Sequence, residues 1–334
     1  MHAPGDVEVA ERAKPEIVEP TDATISVTAS CICGSDLWPY RGIEPVDDTW
    51  MGHEYVGLVE QVGEEVRTLE PGQFVVGSFW ASDNTCANCR AGYQSACVSR
   101  VPMGSLGAQA DYLRVPLADG TLVPTPGQPD PDLIPSLLAA SDVLGTGWFG
   151  AVAAEAGPGK SVAVVGDGAV GLLAVLAAKH LGADRIIAMS RHPARQAIAR
   201  EFGATDIVDE RGDEGVTRIR ELTNGLGADS VVEAVGTQES TLQAIRATRP
   251  GGHMGFVGVN YEVAIPGMEL FWSLAHIHGG PAPVRRFLPE LIDLIWNRTI
   301  NPGKVFDLEL PLEQAADGYR AMDERRAIKV LLAA

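Results

Sequence analysis

The spacing of hydrophobic positions changes along this chain. Up to about residue 125, short β-branched runs such as Thr24–Thr28 and Tyr55–Val59 alternate with Gly and Pro, a pattern typical of a β-rich domain with long loops. From about residue 158, short apolar segments alternate with helical ones, which predicts a parallel, doubly wound sheet and an α/β protein. The predicted strands of this second region are Val162–Val165, Arg185–Met189, Asp206–Val208, Ser230–Val235 and His253–Val257.

A linking helix is predicted over Ile134–Leu144, with the domain junction near residue 145 and another helix after Gly147. Beyond Gly279–Pro283 we predict a helix at Arg285–Trp296 and two strands that return to the first domain, Lys304–Leu310 and Ile328–Leu332. The predicted domains are therefore residues 1–145, with a cysteine-rich lobe at about 80–100, residues 146–282, and a returning segment at 283–334.

The composition and net charge of the chain exclude some classes of binding partner. Hydrophobic residues make up 46% of the 334 positions and charged residues 21%, the balance of a globular protein with a full core. The 44 acidic residues against 26 basic ones give a net charge of −18, which argues against nucleic acid or an anionic membrane as a partner. No apolar run approaches the roughly 20 residues of a membrane span, and the start lacks a signal pattern, so we expect a cytoplasmic protein.

All five cysteines lie in the first third of the chain, which favours zinc over disulfides in a chain without a leader. Cys31 and Cys33 alternate on a predicted strand end, so only one of them is expected to reach a metal. Cys33, His53 and Asp142 supply a thiolate, an imidazole and a carboxylate. This set suits one zinc ion with a coordination position left open, which indicates chemistry and not a purely structural site.

A glycine-rich turn, Gly166-x-Gly168-x-x-Gly171, follows the first strand of the second region and opens an apolar helix. This context favours a dinucleotide pyrophosphate at the helix N-terminus, although a plain β–α turn has the same glycines. The end of the next strand carries no carboxylate for the adenosine ribose. Ser190 and Arg191 stand there, which favours NADP(H) over NAD(H), unless Arg191 is an ordinary surface residue. His192 and Arg195 are candidate helpers.

The segment Gly52–Val66 resembles the signature of the zinc-containing alcohol dehydrogenases of the medium-chain dehydrogenase/reductase superfamily. The similarity extends in order over essentially the whole chain, through Cys33–Asp36, the cysteine-rich lobe, Asp142–Gly147 and the glycine-rich turn. It implies a GroES-like catalytic domain beside a Rossmann domain. It also implies hydride transfer between NADP(H) and an alcohol, aldehyde or ketone in a homodimer or homotetramer assembled through the cofactor domain.

For individual residues the resemblance implies that Cys33, His53 and Asp142 bind the catalytic zinc, with Asp142 in place of a second Cys. Glu54 is implied as a nearby or exchanging ligand, Asp36 as the partner that orients His53, and Ser35 as the proton relay. Two alternatives stay open: Glu54 as a buried ion-pair partner, and Ser35 as a turn-capping residue. The relay His of several members is missing here. The structural-zinc lobe corresponds to Asp83, Cys86, Cys89 and Cys97, with Asp83 in place of a Cys, and a metal-free lobe stays open.

At the cofactor, the resemblance implies that Thr146 contacts the nicotinamide and that two strand ends, with Val235 and Val257, line the ring and its ribose. Ala169 and Val170 belong to the glycine-rich turn. Aromatic side chains are expected near the zinc, namely Trp38, Phe79, Trp80 and Trp148, unless they are ordinary core residues. Two other functions stay open: a reductase of C=C or C=N bonds on a zinc scaffold, and a noncatalytic NADP-binding protein.

Overall fold

The computed structural model describes residues 1–334 and arranges most of the strands in two sheets. The strands, in chain order, are β1 (Ala23–Ile32), β2 (Tyr55–Val62), β3 (Phe74–Gly77), β4 (Trp80–Ala81), β5 (Val101–Pro102), β6 (Tyr112–Val115), β7 (Leu122–Pro124), β8 (Ser161–Val165), β9 (Arg185–Met189), β10 (Asp206–Val208), β11 (Ala228–Glu233), β12 (Thr248–Phe256), β13 (His276–Gly279), β14 (Leu308–Pro311) and β15 (Val330–Ala333).

The α-helices are α1 (Leu37–Tyr40), α2 (Ala87–Arg90), α3 (Ala118–Thr121), α4 (Ile134–Ala140), α5 (Val143–Ala153), α6 (Ala169–His180), α7 (Pro193–Glu201), α8 (Gly212–Leu222), α9 (Gln238–Ala247), α10 (Gly267–Ser273), α11 (Val284–Trp296) and α12 (Ala315–Asp323). The chain forms two compact units, Met1–Gly145 with Pro283–Ala334, and Thr146–Ala282.

The first unit is built on a seven-stranded sheet in the order β14-β15-β1-β2-β3-β7, with β6 also paired to β1. β1 runs antiparallel to both β2 and β15, and its register joins Ser30 to Tyr55 and Ile32 to Val330. Apolar side chains of β1, β2 and β6, among them Ile25, Tyr55 and Leu113, form one buried cluster. The C-terminal strand β15 lies between β1 and β14, so the end of the chain returns to an interior position of this sheet.

The second unit has six parallel strands in the order β10-β9-β8-β11-β12-β13. In such a doubly wound sheet the chain reverses its winding between β8 and β11, and ligands bind beyond the carboxyl ends of the strands at that point. Buried aliphatic side chains such as Ile187, Val231 and Ile245 fill the core. The predicted parallel sheet is confirmed.

The predicted linking helix is wrong in its extent. α4 ends at Ala140 and α5 begins at Val143, so the helix predicted over Ile134–Leu144 is broken at Ser141 and Asp142, whereas the boundary between the two units lies at residue 145 as predicted. Both the backbone N–H and the hydroxyl of Ser141 donate to the carbonyl of Leu138, which ends the first helix. The turn that results is where Asp142 stands.

Two further predictions differ from the structure. The predicted strand at Lys304–Leu310 is a 3₁₀ turn at Pro302–Val305 followed by β14. Trp148 lies inside α5 and not in a loop; its side chain is buried, with its ring 5.2 Å from that of His180. It therefore belongs to the core of the second unit.

No single helix is both long and apolar enough to span a membrane, although the bent pair Pro131–Ala140 and Val143–Ala153 meets that test when the two are taken together.

Candidate active site and zinc sites

Four potential metal ligands meet at one end of the large sheet of the first unit. Cys33 follows the last residue of β1, and His53 and Glu54 precede the first residue of β2, so antiparallel pairing brings them to the same edge. Asp142 reaches them from the turn between α4 and α5. Each of the four is buried, and one ligand atom from each lies within 4.8 Å of all the others.

The separations fit a zinc ion. Cys33 Sγ lies 3.8 Å from Asp142 Oδ2, and His53 Nε2 lies 3.2 Å from the same oxygen. A tetrahedral zinc with bonds of about 2.3 Å to sulfur and about 2.1 Å to nitrogen or oxygen separates such ligand pairs by about 3.4–3.6 Å. Glu54 Oε2 adds a buried carboxylate oxygen without a hydrogen-bond partner. The donor set therefore suits zinc.

The His53 ring is oriented from its other nitrogen. Asp36 Oδ1 lies 3.4 Å from Nδ1, which leaves Nε2 facing Asp142. Burial alone would lower the pKa of His53, but the carboxylates of Asp36 and Asp142 raise it well above its usual range. The implied orienting contact between Asp36 and His53 is thus present in the geometry.

Asp36 is itself held by groups that the sequence did not reveal. Its Oδ2 accepts from the backbone N–H of Cys33 at 2.9 Å and from Gln109 Nε2 at 3.2 Å. Gln109 Oε1 in turn accepts from the hydroxyl of Tyr319 at 3.0 Å. No local motif marks Gln109 or Tyr319, because these contacts join positions far apart in the chain.

Glu54 forms a buried ion pair that was likewise missed. Lys329 Nζ lies 2.7 Å from Glu54 Oε1 and also donates to the carbonyl of Ile32 at 3.2 Å, and both charged side chains are almost inaccessible to solvent. Burial alone would lower the pKa of Lys329, but the anionic groups around it, Glu54 included, raise it well above its usual range. Glu54 is therefore a buried ion-pair partner and also a member of the ligand cluster.

Ser35 lies in the turn between Cys33 and α1, where its carbonyl accepts from the N–H of Trp38. The segment Leu37–Tyr40, which lacks the relay His, forms α1, and the ring of Tyr40 stacks on that of Tyr319 with the ring centroids 5.4 Å apart. Of the aromatic residues expected near the zinc, Phe79 presents an edge to His53, with ring centroids 6.1 Å apart.

Asp83, Cys86, Cys89 and Cys97 form a second ligand cluster within the same 4.8 Å limit. The Sγ atom of Cys86 lies 3.5 Å from that of Cys89 and 4.0 Å from that of Cys97. Two thiolates on a tetrahedral zinc are about 3.8 Å apart, so the lobe also fits the metal. Burial disfavours charge on Asp83, but N–H donors from Thr85 and Cys86 outweigh it and lower its pKa to about 2. Backbone donors also lower the pKa of Cys86 to about 7.

In the second unit, the glycine-rich turn has the shape that a pyrophosphate requires. Gly166 has φ +123°, and a side chain at Gly171 would strike its carbonyl oxygen, so both positions require glycine. A side chain at Gly168 would meet open space, and α6 begins at the next residue. The N–H groups at Ala169 and Val170 therefore start the helix beside a gap into which a phosphate can come close.

The other predicted cofactor residues lie at several places. Val235 follows β11 beside Gly166, Val257 follows β12, and Thr146 is a buried residue of α5. Arg191 and His192 are exposed at the start of α7. Ser190 is fully buried.

A carboxylate does lie near the end of β9, although it comes from elsewhere in the chain. Asp167, in the glycine-rich turn, accepts from the hydroxyl of Ser190 at 2.7 Å, and Arg195 Nη1 lies 3.4 Å from its other oxygen. The end of β9 itself carries no carboxylate, as the sequence shows, but Asp167 brings one to Ser190 from the glycine-rich turn. Sequence spacing could not show this contact.

Comparison with known proteins supports the same picture. Residues 19–127 match the family model of the alcohol dehydrogenase GroES-like domain, and residues 169–294 match that of the zinc-binding dehydrogenases. A probable zinc-binding alcohol dehydrogenase of Mycobacterium tuberculosis is 37% identical over 94% of this chain and 82% of its own. An NADP-dependent isopropanol dehydrogenase of Thermoanaerobacter brockii is 33% identical over 90% and 88%. The solved alcohol dehydrogenase of Thermus sp. ATN1 superposes with a TM-score of 0.90 at 34% identity, covering 100% of this chain and 98% of that one.

A GroES-like domain with a metal-ligand cluster, joined to a Rossmann domain, defines a medium-chain dehydrogenase/reductase. Within that class, the chain belongs to the zinc-dependent alcohol dehydrogenase family. Membership confirms the predicted fold class and implies Zn²⁺, a nicotinamide cofactor and a small alcohol or carbonyl substrate.

The cysteine-rich lobe generates the first prediction. Asp83→Ala removes one of four ligands, so zinc content measured by mass spectrometry should fall from about two to about one per chain, with Tm lower by about 5 °C or more. The surface variant Asp317→Ala should leave both unchanged. A wild-type content of one zinc that Asp83→Ala leaves at one would contradict the assignment.

The buried ion pair generates the second prediction. Lys329→Met leaves Glu54 charged and unpaired in the interior, so the free energy of unfolding should fall by about 3 kcal/mol or more in denaturant titrations. The double variant Lys329→Met/Glu54→Leu should recover much of this loss because neither member of the pair is then left as an unpaired buried charge. Equal instability of the single and double variants would show that the pair is not the cause.

Proposed function

We propose that this chain catalyses reversible hydride transfer between NADP(H) and an alcohol or carbonyl compound, with catalytic zinc held by Cys33, His53 and Asp142. The first unit would act as the catalytic domain and the second as the cofactor domain. The observation that carries the proposal is the buried ligand cluster, whose separations match a zinc tetrahedron. A purely binding protein has no need of such a set.

Zinc in this position would polarise the substrate oxygen and so assist hydride exchange between the substrate carbon and the nicotinamide. The protein groups have separate tasks. Asp36 holds Nδ1 of His53 and so directs Nε2 to the ligand cluster. Ser35 Oγ would relay the alcohol proton during oxidation, accepting it while its own hydroxyl proton passes to water or to a ribose hydroxyl of the cofactor, and reduction would run the same transfers in reverse. Burial raises the pKa of Glu54 and Lys329 opposes that rise. The oxygen that pairs with Lys329, Oε1, lies 4.0 Å from His53 Nε2, and Oε2 has no hydrogen-bond partner.

The proposed preference for NADP(H) is supported by basic groups at the adenosine end. Arg191 and Arg195 stand at the start of α7, beyond the end of β9, where a cofactor bound to such a sheet places its adenosine ribose. The isopropanol dehydrogenase relative of T. brockii is NADP-dependent by name. Carbonyl reduction is part of the proposal because hydride transfer at this site is reversible.

The third prediction separates the two neighbouring thiols at the end of β1, Cys31 within the strand and Cys33 just after it. Cys33→Ala should reduce activity by about a thousandfold or more, on a panel of alcohols with NADP⁺ and of carbonyls with NADPH, and should remove one zinc per chain. Cys31→Ala, two residues away and buried, should retain both zinc and activity. Reduction of conjugated C=C or C=N compounds without turnover of any alcohol would instead favour the reductase alternative.

Assembly into a homodimer or homotetramer is also proposed. β13 is the last strand of its sheet, so its outer edge is unpaired within the chain. Just before it, α10 and the residue that follows expose the large apolar side chains of Met268, Phe271, Trp272 and Leu274, each at least 64% accessible. α10 is tied to the second unit by the Arg246–Glu269 ion pair. A second copy of the chain would pair with the free edge of β13 and bury the apolar side chains of α10 against its own.

The fourth prediction tests this assembly. Light scattering coupled to size-exclusion chromatography should give a dimer or tetramer for the wild type and a smaller species for Phe271→Ser/Trp272→Ser, because that variant removes apolar area from the contact. Val18→Ser, equally exposed in the first unit, should leave the mass unchanged. A monomeric wild type would overturn the assembly and leave the catalytic proposal standing.

A further inference from the structure

A third arginine stands near the adenosine end of the cofactor domain, outside the residues that the sequence pattern marks. The N–H of Ser190 donates to the carbonyl of Val208 at 3.0 Å, which ties the end of β9 to the end of β10. Arg211 follows β10 by three residues and occupies the N-cap position of α8, where its side chain makes no capping hydrogen bond. Strand pairing thus brings Arg211 to the same corner of the sheet as Ser190 and Arg191.

The guanidinium of Arg211 is not satisfied by the protein. Its Nη1 is buried and has no hydrogen-bond partner. The charged groups that influence it are Asp167, Arg191, Glu239 and Asp209, and burial is the strongest effect, which lowers its pKa. A guanidinium keeps its charge in proteins, so a buried donor without an acceptor costs free energy until an anion reaches it.

An anion already present in this corner is Asp167. Its carboxylate accepts from the Ser190 hydroxyl and pairs with Arg195. It therefore occupies these donors and repels a second anion at short range. Arg211 has no such partner, and its planar fork matches phosphate oxygens.

We infer that Arg211 binds the phosphate on the adenosine ribose of NADP(H) and that Asp167 opposes it, so that this pair sets how strongly the protein discriminates NADP(H) from NAD(H). The inference rests on the proposed cofactor preference and names the residues that produce or limit it. The two cofactors differ only in that phosphate, so groups at this corner are the ones able to tell them apart.

The fifth prediction uses adenosine fragments without a nicotinamide, so its result does not depend on zinc or on turnover. Isothermal titration calorimetry of the full chain at one fixed ionic strength compares adenosine 2′,5′-diphosphate with 5′-AMP. Arg211→Gln should weaken the diphosphate about tenfold and change 5′-AMP less than about twofold. Asp167→Asn should tighten the diphosphate several-fold, because a repelling charge is removed and two donors are released.

Arg218→Gln is the matched control, since it removes the same charge from the exposed face of the same helix, where Arg218 pairs with Glu221. It should leave both affinities unchanged. Arg211→Lys keeps the charge without the fork and covers the case in which the Gln variant does not fold. A selective loss of the diphosphate with Arg211→Lys supports the inference, and wild-type binding overturns it.

Equal losses for both fragments with Arg211→Gln, no loss at all, or the same loss with Arg218→Gln would each overturn the inference, as would an Asp167→Asn variant with unchanged diphosphate affinity. The wild-type ratio answers a separate question. If wild-type protein binds 5′-AMP as tightly as the diphosphate, the proposed NADP(H) preference fails, and the variant differences still decide the role of Arg211 and Asp167.

Discussion

The ion pair between Lys329 and Glu54 joins the parts of the chain on which the candidate active site depends. Lys329 precedes the C-terminal strand β15, Glu54 precedes β2, and Lys329 also donates to the last carbonyl of β1, so three adjacent strands are fixed at one end. Cys33 and His53 lie next to these fixed strand ends, Cys33 directly after β1 and His53 two residues before β2. A lysine buried so completely is tolerated only when paired, so the position of Glu54 and the return of the C-terminus constrain each other.

Charge balance explains why this cluster suits a metal. Cys33, Glu54 and Asp142 supply up to three negative charges in a buried space, with Asp36 close behind His53. Lys329 compensates one of them, and a divalent cation compensates two more. Without a cation, protons can replace part of this compensation, because the neighbouring carboxylates raise the pKa of His53 well above its usual range and burial raises the pKa of Cys33 and of Glu54. The chain from Tyr319 through Gln109 to Asp36 then fixes the histidine that must face the metal.

Groups of opposite charge meet at the proposed adenosine end of the second unit. Asp167 occupies a variable position of the glycine-rich motif, yet its carboxylate reaches Ser190 at the end of the neighbouring strand. The absence of a carboxylate at that strand end was the basis for predicting NADP(H). Asp167 brings negative charge to the same place by another route, while Arg195 and Arg211 bring positive charge. If the proposed role of this corner is correct, the balance among these groups, and not the strand end alone, governs which cofactor is accepted.

Features that depend on local spacing could be predicted from the sequence: the alternation that builds the parallel sheet, the glycines of the dinucleotide turn, and the short segments around Cys33, His53 and the cysteine-rich lobe. The order of those segments was enough for the family, because each motif carries its chemistry within a few residues. Tertiary structure alone decided the break at Ser141, the interior place of Trp148, and the contacts of Gln109, Tyr319, Lys329 and Asp167. These depend on pairs as far apart as the 275 positions between Glu54 and Lys329, and no periodicity along the chain encodes which distant side chains strand pairing will bring together.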